Sequence, residues 1–313
     1  MKINRSEREA VLYTFWERTT AIHPQLKSTA SIDQWNHEVY HLSQSGIGTE
    51  EALTYLYKQR PTFDVFLLWL QNHAVRGNSI TEVYEGNVLT EEDWEFWNKN
   101  GYIIVKNAIP TEQCVAAKTA IWEYLGADPT QKDSWYQDHE GKNGMMLRFF
   151  QHTALDKNRN ATKIRKAFEE LYNGADIYLL IDKVSFNPPE TQSYKFKGSA
   201  LHWDVSLQLP IPFVLQGLLY LNDVTTDDGA FHCVPGFHKE IDNWILSLPE
   251  NINLREIAAQ ELSPIPVPAQ AGDLIIWHQA LPHCATANKG ISPRMVQYIT
   301  YNPVKRETSP IWK

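Results

Sequence analysis

The sequence predicts an α+β protein: a helical N-terminal part, then an antiparallel sandwich or barrel with helices packed outside it. Three observations carry this. Residues 1–75 place apolar side chains at helical spacing, and from about residue 176 the period shortens to that of strands. Those strands are separated by turn signals such as "NPPE", "TTDDG" and "PG" rather than by long helices. With 313 residues, 43% of them apolar and 11 of them tryptophan, the chain can fill one large core or two small ones.

In chain order, "SEREAVLYTFWERTTAI" starts a helix at Ser6 and sets Val11, Phe15 and Trp16 on one side. "TEEALTYLYKQR" and "PTFDVFLLWLQNHAVRG" follow, with Thr49 as a cap and Pro61 as a first helical residue. The polar "RGNSITEVYEGN" reads as a linker. The division is therefore a helical extension over 1–85 and a second domain over 86–313. That domain opens with Thr90 as N-cap, Leu89 and Trp94 as a hydrophobic staple, and Gly101 at the left-handed C′ position. "YIIVKN" is a strand, and Pro110 and Thr111 begin the next helix. The strands are "IYLLIDKVSFN", "ALHWDVSL", "FVLQGLLYLND", "GAFHCVPG", "GDLIIWHQA" and "RMVQYITYN", with a helical insertion at "KEIDNWILSL".

A net charge of −8 argues against a nucleic-acid or anionic-membrane partner. No stretch approaches the ~18 apolar residues of a membrane span. Charges scattered through the N-terminus do not fit a signal peptide, and three scattered cysteines do not make a disulfide framework. The expected setting is the reducing cytoplasm, the expected partner a small molecule; the sequence sets no oligomeric state.

The chemistry lies in "ALHWDV". Residues i and i+2 of a strand share a face, so His202 and Asp204 point together with Trp203 opposite. Taken alone, such a pair reads as a hydrogen-bonded core couple or a solvated strand end, but an imidazole and a carboxylate on one face also suit two adjacent corners of a metal's coordination sphere. His283, in "LPHCATANKG", is the strongest third ligand, with His278 in "IIWHQA" as the alternative. Two imidazoles and a carboxylate leave three octahedral positions open, as in non-haem Fe(II) oxygenases. Arg294, eleven residues past His283, starts a strand from which a guanidinium can clamp the distal carboxylate of a keto acid.

The segments "LHWD", "LQGLLYLNDVTTDDGAFHCVPGFHK" and "AGDLIIWHQALPHCATANKGISPR" resemble the Fe(II)/2-oxoglutarate dioxygenases of the phytanoyl-CoA dioxygenase type. "LTEEDWEFWNKNGYIIVKNAIPTEQC" is similar to that family's usual opening, and the resemblance spans roughly residues 88–304. It implies a double-stranded β-helix (jelly-roll, cupin-like) core with Fe(II) at its mouth. His202, Asp204 and His283 take the ligand positions, the spacing to Arg294 favouring His283 over His278. Arg294 takes the position that binds the 2-oxoglutarate C5 carboxylate, and O2 is the second cosubstrate. In related halogenases a small residue replaces the carboxylate, so Asp204 implies hydroxylation, or another oxidation, rather than halogenation. Phe237 departs from the Ser or Thr common before the histidine of "PG-x-H", and residues 1–75 have no counterpart in the family's motifs.

Gln216, polar within an apolar strand, either satisfies a backbone edge or binds the 2-oxoglutarate C1 carboxylate. Lys183 reads as a snorkelling surface lysine, Arg148 and His152 as solvated, and His232 as locally bonded. His238 is a weak candidate for the pocket. Two readings compete with the oxygenase: a metal-dependent hydrolase or isomerase on a similar barrel, and a catalytically silent binding module. A coenzyme A ester would favour a basic cluster, for which "YKFKGS" is one of few candidates, so a small metabolite is the default substrate.

Overall fold

The computed structural model describes residues 6–21, 30–74, 83–196 and 198–305. Ser6 opens α1 (Glu7–Thr20) through a reciprocal capping box with Glu9. The buried stripe of α1 is Leu12, Phe15 and Thr19, so Leu12 rather than Val11 faces the core. An unanticipated α2 (Ile32–Ser43) starts on Ser31, and α3 (Thr49–Gln59) and α4 (Phe63–Ala74) follow.

Two expected helix starts shift. Thr49 is the first helical residue of α3; Gly48 stands at its cap, where a Cβ would lie 2.3 Å from the carbonyl oxygen of Ile181. Pro61 stands two residues before α4, its carbonyl accepting from Trp16 Nε1 at 2.9 Å. These four helices enclose a core of their own around Phe15, Leu42, Leu56 and Phe66. Of the expected linker, residues 76–82 lie outside the described residues, and 83–87 carry no helix or strand.

Thr90 caps α5 (Glu91–Asn100) with Asp93 completing the box, and Gly101 ends it in the left-handed conformation, φ 74°. Leu89 is buried in the same apolar cluster against which Trp94 packs. β1 (Tyr102–Val105) and α6 (Thr111–Leu125) form as the sequence predicts. α7 (Thr153–Arg159) and α8 (Thr162–Leu171) go beyond the expectation; α8 buries Ile164, Ala167, Phe168 and Leu171, the spacing of one helical face.

Two segments expected as single strands are each broken. "IYLLIDKVSFN" gives β4 (Ile177–Leu180) and β5 (Val184–Asn187), and "RMVQYITYN" gives β12 (Arg294–Tyr298) and β13 (Thr300–Pro303). β4 pairs with β13 and β5 with β12, so the two breaks match. Between β4 and β5 the carbonyl of Asp182 accepts from the buried Arg159 Nη2 at 2.7 Å, a bond that replaces the strand ladder there.

Among the described residues, the larger sheet has seven strands, all antiparallel. Its order is β1, β10 (Leu274–His278), β7 (Leu215–Tyr220), β12, β5, β3 (Met146–Leu147), β2 (Lys142–Asn143). The smaller sheet runs β6 (Ser199–His202), β11 (His283–Ala285), β8 (Phe231–Cys233), β9 (Ile265–Val267). The expected insertion helix, α9 (Ile241–Ser247), and an unexpected α10 (Leu254–Glu261) lie between β8 and β9.

Alternation with period two decides what each strand covers. Leu215, Leu219, Leu274, Ile276 and Met295 face outward and pack with Trp97, Ile121 and Phe168 of the covering helices. Leu218, Tyr220, Ile275, Trp277 and Val296 face inward and share a cluster with Leu201, Phe231 and Cys233 of the smaller sheet. The two sheets therefore face each other, and the architecture is α+β. No described helix is long and apolar enough to cross a membrane.

Candidate metal centre

A cavity of about 1050 Å³ is lined by residues of both sheets, among them His202, Asp204, Gln216, Trp277, His283 and Arg294. His202 ends β6 and His283 begins β11, directly opposite each other in the pairing. The strand stops at His202, so Asp204 lies two residues beyond it rather than on a continuing strand face. It still joins the group: His202 Nε2 is 3.7 Å from Asp204 Oδ1, and His283 Nε2 is 3.2 Å from Asp204 Oδ2. Ligand atoms of the three residues all lie within 4.8 Å of one another.

The tautomers follow from the backbone. His202 Nδ1 donates to the Ala200 carbonyl at 2.8 Å, and His283 Nδ1 to that of Leu281 at 3.2 Å. A carbonyl only accepts, so each Nδ1 carries the hydrogen and each neutral Nε2 presents a lone pair toward the Asp204 carboxylate. Three acceptors then converge; the Gln216 amide donates to Asp204, but no described group donates to either Nε2, an arrangement that a cation satisfies. Burial resists ionisation of Asp204, but the Gln216 amide, and either imidazole whenever its Nε2 carries a proton, outweigh it and hold the carboxyl well below the usual carboxylate range; a bound cation takes the place of that proton. Burial pushes the His202 imidazole down, toward its neutral, ligating form. The donor set of two nitrogens and one carboxylate suits iron.

Gln216 Nε2 donates to Asp204 Oδ2 at 2.8 Å. Arg294, only 2% exposed, donates through Nη1 to the Gly229 carbonyl and through Nη2 to Ser185 Oγ at 3.4 Å. Its Nε has no partner, and no carboxylate pairs with it among the described residues. A buried cation so placed against a cavity is matched to an anionic ligand.

Residues 97–296, well over half of the chain, match the family model for phytanoyl-CoA dioxygenase (PhyH). The chain belongs to the phytanoyl-CoA dioxygenase family. It is thereby an iron- and 2-oxoglutarate-dependent oxygenase, with O2 as cosubstrate. A putative phytanoyl-CoA dioxygenase of Dictyostelium discoideum is 21% identical over 272 residues, covering 69% of this chain and 76% of its own. A methylphosphonate hydroxylase of Gimesia maris is 23% identical over 222 residues, covering 68% and 81%. The crystal structure of EctD from S. alaskensis, with 2-oxoglutarate and 5-hydroxyectoine, superposes with a TM-score of 0.52 at 16% identity, covering 74% and 83%. That last likeness is one of fold.

Within this phytanoyl-CoA dioxygenase family member, some of the other side chains sit where the sequence reading puts them and some do not. His278 lies at the end of β10, its ring 5.5 Å from that of His238 and 5.1 Å from Phe213, and burial pushes its pKa down to about 4. His238 packs against Gly101 instead of lining the cavity. Lys183 is not a surface lysine: it lines the cavity wall and pairs with Glu50 of α3, which also receives Arg148 Nε at 3.2 Å. Arg148 is thus paired, not merely solvated, and His152 caps α7 through Nδ1. Phe237, the family departure, is buried against Trp203 and Trp244. Lys197 of "YKFKGS" lies outside the described residues.

Tyr298 and Ser185 escaped the sequence reading. Tyr298 stands four residues after Arg294 on the same strand face, hydrogen-bonds Ser185, and also lines the cavity. The period-two rule applied onward from Arg294 finds it.

Proposed function

We propose that His202, Asp204 and His283 bind Fe(II) on one face, that Arg294 pairs with the C5 carboxylate of 2-oxoglutarate, and that the chain hydroxylates an unactivated C–H bond of a small-molecule metabolite. The observation that carries this is the convergence of two Nε2 lone pairs and one carboxylate, all within 4.8 Å, on a cavity that also holds a buried guanidinium with no carboxylate partner among the described residues. Iron, with 2-oxoglutarate and O2, supplies the oxidising chemistry. The protein's part is geometry and charge. Asp204 offsets the cation's charge, and the two Nδ1–carbonyl bonds fix the imidazole planes. Gln216 holds Asp204 with one amide hydrogen and has a second for the C1 carboxylate. The rings of Phe231 and Trp277, 5.8 and 5.3 Å from that of His283, exclude water from that flank.

Asp204 fills the place that a halogenase leaves to halide, which favours hydroxylation. Family membership disfavours a zinc hydrolase or isomerase, and the complete ligand set disfavours a silent binding module. Relatives named for methylphosphonate hydroxylation, or crystallised with 5-hydroxyectoine, support a small substrate. The facing sheets support reading 86–313 as a double-stranded β-helix domain, and the separate core of the first four helices supports 1–85 as an extension. Three free cysteines suit a reducing cytoplasm.

Incubation with Fe(II), 2-oxoglutarate, O2 and a panel of small metabolites tests the assignment. A substrate releases succinate in proportion to a product that has gained one oxygen atom. Turnover that persists without O2 or 2-oxoglutarate contradicts it.

A further inference from the structure

β6 ends at His202, so regular strand geometry does not place Asp204 beside the two histidines. Something else must hold the segment 203–205. The residue before Asp204 is locked on one side: Trp203 is buried, and its Nε1 donates to the Ala280 carbonyl at 2.8 Å. The backbone is gripped from the other side by α10. Arg255 Nη2 donates to the Val205 carbonyl at 2.9 Å and reaches the Trp203 carbonyl at 3.4 Å. These are the two residues that flank Asp204.

Arg255 is itself set in place. Asn253 caps α10, its Oδ1 accepting from the backbone N–H of Arg255 at 3.2 Å and of Glu256 at 3.4 Å. The guanidinium therefore leaves the first turn of a capped helix and spans both carbonyls around the carboxylate residue. Both contacts leave one nitrogen, Nη2, and a lysine ammonium, on a shorter and flexible stem, neither reaches as far nor is aimed by a rigid plane. We propose that Arg255 is the positioning residue for Asp204: the insertion helix α10 holds the carboxylate in ligating position through the backbone on either side of it. The proposal rests on the metal reading above.

Its electrostatics run against its geometry, which makes it testable. A cation close to a metal site weakens metal binding, so removing the charge alone strengthens it. Removing the clamp lets Asp204 swing and weakens binding. Full-length protein, R255K, R255M and Asp204→Ala are titrated with Co(II), measuring dissociation constants and ligand-field absorption, with melting curves of the metal-free proteins alongside. Both Arg255 variants lose Co(II) affinity about tenfold or more. Their spectra shift toward that of Asp204→Ala, while R255K, which keeps the charge, melts close to wild type. Co(II) affinity in R255K equal to wild type, or a gain in R255M, overturns the clamp and leaves the metal site standing. A wild-type chain that takes up no Co(II) overturns both.

Discussion

Replacing Asp204 by alanine abolishes substrate-coupled succinate formation and lowers metal affinity by more than about 100-fold, beyond the range typical of residues that merely support a ligand. The carboxylate is the one anionic group of the cluster, and His283 Nε2 lies 3.2 Å from it, His202 Nε2 3.7 Å. Without it two neutral imidazoles remain, and a divalent cation has nothing to offset its charge. Because the surrounding groups hold the Asp204 carboxyl well below the usual carboxylate range, the wild-type site is charged throughout the physiological range. The measurement is succinate release with and without substrate, beside metal content after anaerobic reconstitution. Wild-type turnover in the alanine variant removes Asp204 from the ligand set.

Replacing Arg294 by alanine raises the 2-oxoglutarate concentration for half-maximal turnover about 30-fold or more, as expected when one partner of a buried charge pair is truncated. Its Nη groups are held by Gly229 and Ser185, so the guanidinium is already oriented before any ligand arrives, and little ordering opposes binding. Excess 2-oxoglutarate raises the melting temperature of the wild-type metalloprotein but not that of the variant. An unchanged KM for 2-oxoglutarate in Arg294→Ala shows that the carboxylate is held elsewhere.

What the sequence made legible was local. Thr90, Asp93 and Gly101 delimit α5 because caps and left-handed termini depend on a few adjacent residues. The inward and outward faces of β7 and β10 follow from alternation alone. The candidate site was readable for a related reason. His202 and Asp204 stand two apart, and His283 and Arg294 follow in the order and spacing that resemble a known family.

What escaped was set by distant partners. The break at Asp182 depends on Arg159, twenty-three residues earlier in the chain. Gly48 displaces Thr49 from the cap because of Ile181, which no local pattern signals. Lys183 was misread for the same reason, since its partner Glu50 lies in the N-terminal helices. The end of β6 at His202 was hidden by the apolar run that continues through Val205. Trp203 and Val205 are buried by core packing, and the α10 contact rather than strand pairing holds their carbonyls.

The central claim is that one cavity gathers three ligands for iron and a guanidinium for the keto acid. Anaerobic titration of the protein with Fe(II) and then 2-oxoglutarate, followed by visible absorption, tests it most directly. A charge-transfer band that saturates at one iron and one 2-oxoglutarate per chain, and is absent from His283→Ala, is the predicted result. A band that never forms in the wild type, or persists unchanged in that variant, contradicts the account.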